Sequence, residues 1–119
     1  MSDCYIVSLK HTRREHAYIT VWRPEDKGYA WPLSWAGKYS KADVMAQRDY
    51  YHRGDDTLAV PCKLLDALAV PPFKGTVDND AGPVVFNNWK NWKFILAFAL
   101  PDPMHTPKPQ CKGAPRRKD

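Results

Sequence analysis

A chain of 119 residues is the size of one ordinary domain, and 44% apolar content with five tryptophans describes a folded globule, not a disordered chain. The longest apolar run, "FILAFAL" at 94–100, falls far short of the roughly 20 residues that cross a bilayer. The net charge of +5 sits mostly in residues 104–119, which carry +4 and leave the first 103 at +1; so mild a balance speaks against both a densely cationic body and an acidic mimic of DNA.

Taken in chain order, "CYIVSL" (4–9) and "AYITVW" (17–22) are short runs rich in β-branched and aromatic residues, separated by the polar "KHTRREH". That pattern predicts a β-hairpin with a loop longer than a tight turn. In the second run Tyr18, Thr20 and Trp22 share one face and Ala17, Ile19 and Val21 the other, so both faces expect partial cover. "RPEDKG" (23–28) has turn composition, and "YAW" (29–31) returns as a third strand ended by Pro32. Ser40 predicts a helix N-cap, with Asp43 three residues on and a helix to about His52, closed by Gly54. "TLAV" (57–60) is a candidate fourth strand, and "PCKLLDAL" a second helix with Cys62 in the core and Leu64, Leu65 and Leu68 as its buried stripe. A loop of about fourteen residues follows, "VPPFKGTVDNDAGP", a length often tied to function. An Asn cap at 87 or 88 opens the last helix, whose second half is apolar all round and therefore a candidate homodimer contact. Pro101 and Pro103 stop it. The expected fold is α+β: a three-strand antiparallel meander, with "TLAV" as a fourth strand, packed against about three helices on one face. Residues 1–103 form the domain, and 104–119 a proline-rich, basic, disordered tail.

Catalytic signatures are absent: no nucleophile elbow, phosphate-binding glycine loop, dinucleotide fingerprint or zinc-protease helix occurs. The turns at Asp55–Asp56 and Asp78–Asp80 would need spatial convergence to make a hydrolytic or metal site. His11 and His16 lack a nearby cysteine pair, and Cys4, Cys62 and Cys111 are too widely spaced for a zinc knuckle or disulfide framework. The expectation is a non-enzyme with reduced thiols, no metal and no cofactor. Residues 1–11 lack a basic start and long apolar stretch, which reads as cytoplasmic.

Binding has better candidates. Arg13 and Arg14, with His11 and His16, stand in the predicted hairpin loop, where guanidinium groups can fork onto phosphates or carboxylates. The stretch "GYAWPLSWAGKY" (28–39) can close a core or present rings to a partner. Trp22 and Trp31 are assigned to the core, and Trp35 and Tyr39, beside Gly37, to the exposed surface. Arg116, Arg117 and Lys118 in the tail can touch phosphates without reading sequence.

The segments "YIVSLKHTRREHAYITVWRPEDKGYAWPLSWAGKY", "TLAVPCKLLDALAVPP" and "DNDAGPVVFNNWKNW", with the basic "GAPRRK" ending, resemble small accessory proteins of temperate phages and prophages of proteobacteria. Most such proteins have no assigned function, so the resemblance carries no site residues. It implies a host-cell cytoplasmic protein, in some cases an inhibitor of bacterial defence such as an anti-CRISPR protein, acting by stoichiometric binding. The functional expectation is therefore an inhibitor that occupies a surface of a host defence or regulatory complex. The alternative is a nucleic-acid- or nucleotide-binding protein that uses the basic loop and the aromatic stretch.

Overall fold

Residues 3–8 are buried from Cys4 onward, and they form the central strand β1 (Asp3–Ser8). The computed structural model describes residues 3–77, 82–111, 113 and 114. It surrounds β1 with β2 (Val21–Trp22), β3 (Tyr29–Ala30), β4 (Tyr39–Ser40) and β5 (Thr57–Pro61), all paired antiparallel. β5 runs along β1 from Cys4↔Pro61 to Ser8↔Thr57 and takes one whole edge. A strand has two edges, so β2 (Val7↔Val21) and β4 (Cys4↔Tyr39) share the other end to end. β3 continues outward through Trp22↔Tyr29. The meander is thus β1–β2–β3, the "TLAV" run is the longest partner of the central strand, and β4 is an addition.

Alternation along β1 and β5 builds two cores. Tyr5, Val7, Leu58 and Val60 point into one, with Ile19, Val21, Leu65, Trp92 and Ile95. Cys4, Ile6 and Ala59 point into the other, with Trp22, Val44 and Leu100. Burying each large aliphatic side chain there is worth about 1.5–3 kcal/mol. The helices α1 (Lys41–Ala46), α2 (Arg48–Tyr51), α3 (Cys62–Leu68) and α4 (Trp89–Phe98) divide between the two sides. α3 and α4 cover the first core, and α1 and α2 reach the second through Val44, Met45 and Tyr51. This corrects the expectation of helices on one face. Neither face of β1 is polar, so both need cover.

Ser40 caps α1 as expected, its Oγ accepting from Asp43 N at 3.1 Å. The helix expected to reach His52 breaks at Gln47 (φ −129°, ψ 51°) into two short pieces. His52, fully buried, ties these pieces to the sheet: its Nδ1 accepts from Ala59 N at 3.0 Å, and its Nε2 donates to Leu100 O at 2.8 Å. On α4, Phe94 and Phe98 are exposed one turn apart, on the half expected to be apolar all round. Among the described residues no helix is long and apolar enough to cross a membrane.

Residues 104–111 form no regular helix or strand, in keeping with their proline content. They differ from the expected tail in lying against the body. His105 N donates to Arg53 O at 2.8 Å, and Cys111 and Ala114 are buried in the first core. Small side chains let this strap fit: a Cβ on Gly54, at φ +90°, would stand 1.8 Å from His105 O. Arg116, Arg117 and Lys118 lie outside the described residues.

Candidate functional site

The site begins with a turn. Arg23 N donates to Gly28 O at 2.8 Å, closing the β2–β3 hairpin. Within it Glu25 (φ 58°) and Asp26 (φ 59°) take left-handed backbone, which non-glycine residues adopt at a cost. Tyr39 latches this turn, donating its hydroxyl to Arg23 O at 2.5 Å and accepting from Asp26 N at 3.1 Å. Burial pushes that hydroxyl's pKa up to about 12. Gly37 permits the approach, since a Cβ there would meet the Pro24 backbone at 2.7 Å. Tyr39 is therefore a half-buried structural residue, a correction to its assignment as an exposed binder.

The neighbouring loop, 9–17, is fixed from below. Thr12, buried, donates to Ser8 O at 2.6 Å and accepts from Thr20 N at 2.9 Å. Asn87 donates its amide to the carbonyls of Arg13 (2.9 Å), His16 (3.1 Å) and Gln110 (3.1 Å), while its Oδ1 accepts from Trp92 Nε1 at 2.7 Å. One side chain thus joins the loop, the strap and the first core.

Between the loop and the hairpin lies a cleft of ≈ 480 Å³ lined by His11, His16, Arg23, Tyr29, Trp31 and Trp35. Period-2 alternation puts Tyr18 and Thr20 on its floor side and sends Ile19 and Val21 to the core. Thr20 Oγ1 donates to His11 O at 3.0 Å and accepts from Trp31 Nε1 at 3.2 Å, which fixes the indole. Trp31 is in neither core; it is half-buried in the cleft wall, a correction to its assignment. Its ring meets Tyr18 edge-on at 5.6 Å and His16 at 6.1 Å. His11 lies 4.1 Å from the Tyr29 ring. Arg23 stands with its guanidinium carbon 4.8 Å over the Trp35 ring, a cation–π arrangement, while its Nε donates to Tyr29 O at 2.9 Å. Thr76 and Val77 complete the far wall. They are held by Tyr18, whose hydroxyl accepts from Phe73 N at 2.8 Å. Because Thr76 Oγ1 spends its proton on Phe73 O, Tyr18 donates to Thr76 Oγ1.

Of the residues singled out in the sequence, the cleft brings together His11, His16 and Trp35, the last 38% exposed. It does not take in Arg13 or Arg14. Arg13 is exposed, and Arg14 lines a second groove with Phe73 and Phe86, across the His16 wall. Arg23 was missed because it reads as part of a charged turn. The hairpin register could have found it, since pairing Trp22 with Tyr29 sets Arg23 opposite Gly28 at the mouth of the aromatic stretch.

No protein-family model, curated protein or solved structure matches this chain. Its chemistry is therefore read from its own side chains. The Asp55–Asp56 turn faces Arg53, which donates to both carboxylate oxygens of Asp55 at 3.0 and 3.1 Å. That pairing holds the Asp55 carboxyl below the usual carboxylate range. Asp78 and Asp80 lie outside the described residues. Among the described residues no group of three His, Cys, Asp or Glu side chains is placed to hold a metal ion. The three cysteines are free and buried. Burial pushes their thiols up, that of Cys62 to about 11 with a further push from Asp66, so none has the character of an activated nucleophile.

Proposed function

We propose that this protein is a non-enzymatic binding module that blocks a bacterial defence or regulatory complex stoichiometrically, in the manner of the phage accessory inhibitors it resembles. Trp35 is its anchor. The observation that carries the reading is a pair of exposed rings, Trp35 and Tyr29, 38% and 45% accessible, with the half-buried Arg23 guanidinium stacked over the first. Trp, Tyr and Arg are the residues that dominate interface hot spots, because they bury much area at small entropy cost while keeping a polar handle. A fixed turn beneath them favours this use, since a preorganised anchor loses little freedom on binding.

The test is co-purification of the tagged protein from a host with active defence systems, alongside an assay of immunity on expression. A captured complex and lost immunity are expected, with Trp35→Ala weakening capture about 30-fold, the equivalent of a 2 kcal/mol hot spot. Recovering no partner while immunity stays intact rejects the proposal. One observation favours the alternative of nucleotide or nucleic-acid binding: His11 and His16 of the basic loop share one concavity with the aromatic stretch.

A further inference from the structure

We propose that the cleft binds a nucleoside phosphate, with the anion on Arg23 and the base against the Trp31–Trp35 wall. This goes beyond the protein-partner reading and stands without it, because a protein interface needs no charge-selected concavity.

Arg23 is built for an anion. Its Nε is committed to Tyr29 O and its plane rests over Trp35, yet its terminal N–H groups have no acceptor among the described residues. Arg53 offers the contrast, being forked onto Asp55 with Asp56 at 3.9 Å. An oriented guanidinium with its fork open matches the oxygens of a phosphate bidentately. Two imidazoles stand in the same cleft. His16 Nδ1 accepts from Arg13 N at 3.2 Å, which leaves its ring proton on Nε2 as a donor.

Shape and lining select the rest of the ligand. A volume of ≈ 480 Å³ falls within the range of small-molecule sites and is too small for a folded partner. Trp31 is already locked by Thr20, so the wall is set before a ligand arrives. A ring stacked there is bound without regard to its identity, since every base has a π-face. The ligand chemistry is thus a base joined to a phosphate, free or within a single strand.

The test titrates the full chain with adenosine 5′-monophosphate, adenosine, inorganic phosphate, hexa-adenylate and a hexaglutamate peptide, followed by tryptophan fluorescence and calorimetry. Saturable binding of the monophosphate is expected, at least about 10-fold tighter than adenosine or phosphate alone. Arg23→Gln should weaken the monophosphate about 10-fold and leave adenosine unchanged; Trp35→Leu should weaken both alike. Far-UV circular dichroism checks that each variant is folded, and Arg23→Lys, which keeps the charge without the fork, should fall between wild type and Arg23→Gln. Hexa-adenylate binding tighter and more salt-sensitive than the monophosphate identifies a strand as the source, and equal binding per base identifies the free nucleotide. The proposal is overturned by no saturable binding of either, by binding indifferent to both substitutions, or by the hexaglutamate peptide binding more tightly than the monophosphate. Loss of a protein partner in the capture experiment would leave these results untouched.

Discussion

His52 is buried with both ring nitrogens occupied, one accepting from Ala59 and one donating to Leu100. Such a site favours the neutral ring. A second proton on Nδ1 would face the Ala59 N–H, and burial by itself already lowers the imidazole pKa. The consequence for stability has a definite sign. Above the ordinary histidine value, near 6.5, folded and unfolded chains are both neutral at this position. As the pH falls below it, the unfolded chain binds a proton that the folded chain resists. Stability therefore drops by up to about 1.4 kcal/mol per pH unit until the folded ring also titrates. Urea unfolding of wild type and His52→Gln at pH 7, 6 and 5 should show the gap between them narrowing toward low pH. A gap that stays constant over that range would exclude the linkage. Asn87 serves the same purpose without titrating. Its hydrogen bonds include one from the buried Trp92 N–H, whose loss of a partner would cost about 1–3 kcal/mol.

At the scale of elements, the strap formed by residues 104–111 depends on the absence of one atom at Gly54. Gly54→Ala would set a Cβ against His105 O and require left-handed backbone of an L-residue. The strap should lift while the sheet stays. The expected cost is at least about 1 kcal/mol, with faster amide exchange at His105 and none at Ile6 or Ala59. Unchanged protection at His105 would show that the contact is slack. What the sequence reveals at this scale follows from how local each cause is. The β1–β2 hairpin, the Ser40 cap and the start of α4 near Asn88 are legible because alternation and capping are set by residues close in sequence. β4 is not, since two residues become a strand only when β1 lies beside them. Nor is the break at Gln47, which no proline or glycine marks. In the cleft, His11, His16 and Trp35 could be named from composition. Trp31, expected in the core, and Tyr39, expected at the surface, are both half-buried, because "GYAWPLSWAGKY" gives no periodicity to say which ring faces the core. Arg23, the oriented cation of the site, is concealed by the charged composition of its turn.

For the molecule as a whole, the three thiols are placed to report on how it comes apart. Cys4 lies in the central strand, Cys62 starts α3, and Cys111 is carried by the strap. All three are buried, so a thiol reagent must wait for an opening. Regions with fewer ties open at lower free energy than the core strands. Labelling in native buffer should therefore reach Cys111 first and Cys4 last, at the rate of global unfolding, as read by mass spectrometry of quenched time points. Equal rates at the three positions would mean that strap and sheet open as one. The position of β1 has a consequence of another kind, for the chain as it is made. The strand that organises both cores is made well before its longest partner, since Thr57–Pro61 follows on the order of fifty residues later. For several seconds of synthesis at about 5–20 residues per second, "CYIVS" is an apolar edge without a neighbour. The outer edge of Cys4–Ser8 is where a nascent chain of this protein has most need of shelter.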